Sequence, residues 1–382
     1  MDFKLSREQR LLKNMVREFA EKEIAPQLPE MVEKDEKPVH FIKRMGELGL
    51  IGVTWPEEYG GNNIGHVARI IVLEELARVY PSLGGALSRV QISPLVLLRL
   101  GTEEQKKKYL PPICRGEMYA TWSVNESASG SDIRAMQATA ILEGNEYVIN
   151  GRKIFIGNSG WSDITAVVAR MEGGYGVFIV EKGTPGFYIG REERMATQEM
   201  CRLAPLNEVV FTGCRVPEEN LLGHKAVGLG PILAGIGDAG RIAASAISLG
   251  LAEGCLERAT KHAQQQHRYG KPLGEIESIR FMLGDMAVKI EAARWLCYHA
   301  GWLLDQGLSG LQIAKETAIA KLFAVEAALS IYYKAIEVEG AFGTTLEAGI
   351  LQRLGYTLDT IAASGSNNTM RLVISNSVYR EK

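Results

Sequence analysis

Cysteine is scarce in this chain and badly spaced for chemistry. Cys114, Cys201, Cys214, Cys255 and Cys297 are the only five in 382 residues, and no two stand as close as a zinc site or a redox dithiol requires. Their odd number and scatter argue against a disulfide framework and fit a reducing cytosol, and no metal site is expected. An excess of one charge is also missing: 43 Lys and Arg face 45 Asp and Glu, a formal net charge of -2. That balance argues against the broad basic footprint used on nucleic acid or anionic membrane, so phosphate binding has to be local. The opening residues, MDFKLSREQRLL, carry no apolar core of the length a signal peptide uses. No later run approaches the roughly 20 apolar residues of a membrane span. The expected setting is the cytoplasm, with neither nucleic acid nor membrane as partner.

What the chain does have is apolar material, 46% of its residues, over a length beyond the usual limit of one core. Residues 1–117 read as helical. Ser6 and Gln9 form a capping box, and Leu11, Leu12, Met15, Val16 and Phe19 follow at helical spacing up to Pro26. Further apolar faces run over 41–48, 67–79 and 87–100, and Pro111 and Pro112 are expected to close the block. Residues 118–225 change to β-rich runs, YATWSV, ATAILE, YVING, KIFIG, ITAVVAR, YGVFIVE and NEVVFTG, parted by turn residues. They predict a small, mostly antiparallel sheet domain. Residues 226–382 return to long helical patterns at 232–267, 276–304 and 313–339, with two shorter ones after them. Ile279, Met282, Leu283, Met286 and Ile290 mark one apolar stripe, as a helical bundle requires. The fold class expected is α+β: helices, a β-domain, then a four-helix bundle, packed as one unit.

One stretch carries more than architecture. Ser123 to Asp132, SVNESASGSD, is a strand that ends in a Gly/Ser-rich turn whose N–H groups and hydroxyls suit a phosphate or an isoalloxazine edge. Taken alone it is an ordinary polar turn. Other motifs flank it in order: LGTEEQK with Tyr109-Leu110-Pro111, Asn150-Gly151-Arg152-Lys153, Tyr269-Gly270-Lys271-Pro272-Leu273, Glu291-Ala292-Ala293-Arg294, Ala320-Lys321-Leu322-Phe323-Ala324 and Arg371-Leu372-Val373-Ile374. Together they resemble the acyl-CoA dehydrogenase family over essentially the whole chain. The family signature, Glu, Pro, any residue, Ala or Gly, then Gly-Ser-Asp, survives as Glu126 through Asp132 with Ser127 in place of proline.

The resemblance implies FAD between the β-domain and the bundle, touched by Trp122, Val124, Asn125, Gly130 and Ser131. Phe155-Ile156-Gly157 stands where the family has Trp-Ile-Thr, so Phe155 offers a stacking ring and Gly157 lacks a hydroxyl. Tyr269 and Ser366 complete the implied cofactor set. Ser131, Asp238 and Arg241 fall at positions that meet the CoA thioester, and Arg89 and Gln91 at the wall of the acyl cavity. Polar residues there imply an acyl group that is short or polar-tailed, since a buried Arg needs an anion. The substrate implied is an acyl-CoA or a carrier-bound acyl thioester, with an electron acceptor that the residues do not name.

The departures concern the base and the adenine half of the flavin. The glutamate that removes the α-proton in much of the family is Ser364 here, or Gly365 in a second register, and the alternative base position before Arg241 is Gly240. Asp238 is the nearest carboxylate on that helix. Gln266 and Glu337 replace an Arg and a Gln that anchor the dinucleotide across a subunit interface, and Arg268, two residues off, is expected to face away. Three readings follow: a dehydrogenase with a relocated base, an eliminase without net dehydrogenation, and a non-catalytic subunit paired with an intact homologue. A dimer, the family's tetramer and a hetero-oligomer all remain open.

Overall fold

The computed structural model describes residues 4–193, 203, 205–345 and 347–380, so Cys201 lies outside the described residues. The capping box forms as the sequence implies: Gln9 N donates to Ser6 Oγ (3.0 Å) and Ser6 N to Gln9 Oε1 (2.9 Å). It starts α1 (Arg7–Phe19), which is followed by α2 (Leu28–Glu33), α3 (Val39–Glu47), α4 (His66–Val79), α5 (Pro81–Leu100) and α6 (Glu103–Cys114). Pro111 and Pro112 therefore sit inside the last turn of a helix. Each proline removes its own donor and crowds the carbonyl four residues back, but here the two proline carbonyls still accept, Pro111 O from Arg115 N and Pro112 O from Glu117 N.

The middle sheet holds β1 (Ala120–Ser123), β2 (Thr139–Glu143), β3 (Glu146–Gly157), β4 (Ile164–Met171), β5 (Gly174–Glu181), β6 (Phe187–Glu192) and β7 (Leu206–Pro217). Its order is β1-β4-β2-β3-β7-β6, with β5 paired to β4. Pairing is mostly antiparallel, but β1 and β2 both run parallel to β4. The runs YVING and KIFIG are one strand, β3, whose register on β7 slips at Ile149/Gly151 and again at Lys153/Ile156. Gly151 takes φ +154°, and a side chain there would strike Ala138.

Behind the sheet come α7 (Leu229–Gln265), a hairpin of β8 (His267–Arg268) and β9 (Lys271–Pro272), α8 (Glu277–Asp305), α9 (Ala314–Glu339), α10 (Ile350–Ala362) and α11 (Asn367–Arg380). Among the described residues α7 is the one helix long and apolar enough to cross a membrane, and 75% of that window is buried inside the protein, as in a core helix. Along α8, Met286 and Ile290 are buried and Ile279, Met282 and Leu283 pack against the same core. Helix α4 is buried on every face from Val67 to Arg78, wedged among α1, α5 and α7. Its charges are therefore satisfied internally: Glu74 accepts from Lys13 Nζ (2.9 Å) and Tyr298 Oη (2.7 Å), and Glu75 pairs with Arg17 and Arg78. Arg69 stands apart from these pairs.

Candidate active site

The Gly/Ser-rich turn is built on a buried ion pair. Glu126 N and Ser129 O, with Ser129 N and Glu126 O, close the turn (3.1 and 3.0 Å). The Glu126 carboxylate then accepts from Lys153 Nζ (2.7 Å), Gln137 N (2.6 Å) and Ala138 N (3.0 Å). Burial works to raise the Glu126 carboxyl, and these donors outweigh it and hold it below the ordinary range. With its base locked, the turn presents Asn125, Gly130 and Ser131 outward; nothing approaches the open side of Gly130. Trp122 is half-buried with its indole Nε1 unpartnered, while the Val124 side chain lies in the core and its carbonyl accepts from Lys153. Val124 thus serves any ligand only through backbone.

Phe155 falls at the second slip of β3. The extra residue forces it to φ +55°, outside the strand region, and its ring stands 48% exposed on the same side of the chain as solvent. Thr121 Oγ1 donates to the Gly157 carbonyl, and Asn158 Nδ2 donates to Ala86 O on α5 (2.9 Å), so the end of β3 is fastened to α5. A side chain at Gly157 would meet Arg89 Cδ and Nε at 2.3 Å. Arg89 thus occupies the volume that a threonine would fill, which is why glycine stands there.

Two further positions meet face to face. A Cβ built on Gly240 of α7 would lie 2.7 Å from Ser364 Oγ, so the residue against Gly240 is Ser364 and not Gly365. Ser364 and Gly365 both take positive φ, +56° and +91°, in the link from α10 to α11. Lys321 of α9 pins that link, donating to Ile361 O (3.2 Å), Gly365 O (3.0 Å) and Asn367 Oδ1 (2.7 Å). Burial, with the charge of Arg241, pulls its ammonium down to about 8. The Ser366 hydroxyl accepts from Thr369 N (3.1 Å) and caps α11, so it is largely spent on the fold.

The other expected residues have partners within the fold. Asp238 sits about 200° round α7 from Gly240, with its carboxylate taking Gly310 N (2.8 Å) and lying 3.9 Å from Arg99, so it does not face Ser364. Burial raises its carboxyl nonetheless. Arg241 reaches Ala314 O (3.4 Å) and Thr317 Oγ1 (3.3 Å), with Nε buried and unpartnered. Gln91 is a structural clamp, accepting from Arg69 Nε (2.8 Å) and donating to Leu50 O and Ile51 O. Lys321 belongs to a motif without an assigned role and Arg69 to none; the signal for each is a cation inside a locally apolar helical run.

A second region is a groove of about 470 Å³ lined by His262, Gln266, Arg268, Glu337, Gly340 and Phe342 among others. Arg268 was expected to face away on a helix, but α7 ends at Gln265 and the β8–β9 hairpin turns Arg268 back into the groove. Tyr269 and Gly270 form the hairpin tip at φ +53° and +77°, with Tyr269 94% exposed. Glu339 is neutralised by Arg258 (2.8 Å), leaving Glu337 as the exposed acid beside Gln266.

An open Gly/Ser turn, a ring at a strand slip, an unpartnered indole N–H and a cation-bearing groove offer the kinds of donor and stacking surface that a flavin dinucleotide needs. The comparisons give the family. The chain matches the acyl-CoA dehydrogenase N-terminal domain over residues 6–117, the middle domain over 121–214 and the C-terminal domain over 232–379, and it belongs to that family. It is 37% identical over 386 residues to a short-chain specific acyl-CoA dehydrogenase of Clostridium acetobutylicum, covering 100% of both chains. The butyryl-CoA dehydrogenase structure from Megasphaera elsdenii superposes with a TM-score of 0.94 at 31% identity, covering 100% of both. A Mycobacterium smegmatis glutaryl-CoA dehydrogenase in complex with FADH2 gives 0.91 at 25%, covering 98% of this chain and 95% of that one. The protein is an FAD-dependent oxidoreductase of the acyl-CoA dehydrogenase type.

The residues present fit FAD: Trp122, Asn125, Gly130, Ser131 and Phe155 would offer contacts to the ring, and Arg268 in the groove would offer a cation to the pyrophosphate. Arg268→Ala is expected to weaken FAD binding about 10- to 100-fold, the worth of one hydrogen bond to a charged group. Flavin fluorescence titration of the apoprotein measures it; unchanged affinity would mean that the groove holds no phosphate.

Proposed function

We propose that this enzyme acts on the α,β-bond of an acyl-CoA thioester at a reacting face that carries the Ser364 hydroxyl in place of a carboxylate. The contact between Ser364 and Gly240 supports this reading, because both positions that supply a base elsewhere in the family come together here without an acid. Bound FAD supplies the hydride acceptor. The chain supplies the rest: Arg241 and Ser131 bind the CoA portion, Lys321 holds the Ser364 link in place, and Arg89 fills the space over Gly157. A neutral hydroxyl is a weak base, so α-proton removal is slow for a plain saturated thioester and faster for one with a more acidic α-carbon.

Anaerobic addition of short acyl-CoAs to the purified protein tests the reading through the flavin absorption band. Bleaching is the expected result. A band that stays oxidised while the thioester is consumed would favour elimination, and a colourless protein would favour a subunit that completes the flavin site of a homologue.

The same reading extends to assembly. Phe281, Val288, Trp295 and Trp302 recur every seventh residue along α8 and are between 40% and 70% exposed, an apolar stripe on the outer face of the bundle. We read it as the contact between copies in a homotetramer, with the groove and the Tyr269 tip of one subunit serving the dinucleotide of its neighbour. Val288→Glu is expected to lower the assembled mass in light scattering. An unchanged mass would show that the stripe is not the contact.

A further inference from the structure

Arg69 is 1% exposed within α4, and its guanidinium is only partly used. Nε donates to Gln91 Oε1 (2.8 Å) and Nη1 to Ala239 O (3.0 Å), but Nη2 is buried with no hydrogen-bond partner. Among the described residues no carboxylate compensates the charge. Glu74 and Glu75 on the same helix are occupied by Lys13, Arg17, Arg78 and Tyr298, and burial alone pulls Arg69 down to about 10. The neighbouring His66 brings no anion either: burial and the charge of Arg69 push it to about 4, so it is neutral at pH 7. A cation held inside without an anion is among the costliest arrangements a fold keeps, so its location calls for a reason.

Both of its partners lie next to residues of the reacting region. Ala239, whose carbonyl Arg69 holds, directly precedes Gly240, the glycine that lies against Ser364. Gln91, its second partner, is two residues along α5 from Arg89, whose side chain lies over Gly157. Arg69 thus joins the α5 wall to the α7 wall, with one N–H left over between them.

We infer that the substrate supplies the missing anion: the acyl group ends in a carboxylate that accepts from Arg69 Nη2, so the preferred substrates are CoA monothioesters of short dicarboxylic acids. This rests on the acyl-CoA reading above. The carboxylate takes no part in bond making; it positions the chain so that its α,β-bond lies at the Ser364 face. Selection arises because a methyl end would leave the guanidinium both desolvated and unpaired, whereas a carboxylate restores a charge-assisted bond.

The test compares matched pairs on the flavin-loaded enzyme without oxygen: succinyl-CoA against butyryl-CoA, and glutaryl-CoA against valeryl-CoA. Calorimetry gives affinity and the flavin band gives reduction. The dicarboxylic member of at least one pair is expected to bind about 10- to 100-fold tighter. Arg69→Met is expected to abolish that preference and Arg69→Lys to keep part of it. The wild-type comparison decides even if neither variant folds. Equal or weaker binding of both dicarboxylic members, with bleaching intact, overturns the inference and leaves the acyl-CoA reading standing. A retained preference without bleaching does the reverse, sinking the redox reading and supporting the anion site.

Discussion

Ser364→Glu is expected to raise the rate at which a saturated short acyl-CoA bleaches the flavin by about 10²- to 10⁴-fold, the contribution of a positioned general base. The position suits the substitution if the longer side chain turns past Gly240. Ser364 packs directly on Gly240, where one added carbon would lie 2.7 Å from its hydroxyl, and Lys321 already holds the carbonyls of Ile361 and Gly365 on either side. The cost is a side chain at φ +56°, a conformation that L residues adopt at roughly 1–2 kcal/mol. That strain is already present in the serine, so little is added. Stopped-flow reduction without oxygen measures the gain, with Ser364→Gln as the control of equal size and no basicity. If the glutamine variant accelerates as much as the glutamate, shape and not proton transfer limits the reaction. If neither does, another group already removes the proton.

Lys153→Met is expected to destabilise the β-domain by about 3–5 kcal/mol, the usual consequence of leaving one member of a buried pair alone. The Lys153 side chain is 0% exposed and its Glu126 partner 6%, so water cannot replace the lost ammonium. Double substitution, Lys153→Met with Glu126→Gln, should recover much of the loss, because no buried charge then remains. Urea unfolding followed by tryptophan fluorescence reads both, with Trp122 and Trp161 close to the affected sheet. The pH dependence follows from Glu126. Its folded carboxyl lies below the usual value, so the stability it lends is present above that value and is lost as pH falls through the lower folded one. Wild type should therefore lose stability on acidification, and the double variant should lose less. A single variant as stable as wild type would mean that the turn does not depend on the pair, and that the Gly/Ser loop is held by backbone alone.

The sequence shows the three-part layout because its signals are local. Capping by Ser6 and Gln9, the apolar period of α8 and the turn residues between strands each act within one or two turns of chain, and the structure reproduces them. Errors fell where a local signal has two physical outcomes. Prolines 111 and 112 usually end a helix, yet near its C-terminus they forfeit donors and keep acceptors. Asn150-Gly151 resembles a turn between two strands, yet in β3 it is a slip within one. The strand β6 leaves no clear signal in the sequence, because its half-exposed residues alternate too weakly.

The site divides along the same line. From residue identities alone it was legible that Glu126 to Asp132 forms a turn suited to a flavin, that Phe155 replaces a larger ring, and that no carboxylate stands at Ser364 or Gly240. Those facts concern which chemical groups exist, and the chain determines that directly. Which groups meet was decided only by tertiary packing. Ser364 lies more than a hundred positions from Gly240, and nothing in either neighbourhood announces the contact. Arg268 turns toward the groove because a hairpin follows Gln265, and Arg89 finds room because Gly157, on another domain, has none to defend. Arg69 shows the point most clearly. Its charge is plain in the sequence, but that one N–H is left without a partner is a property of three helices brought together, because burial is decided by all neighbours at once.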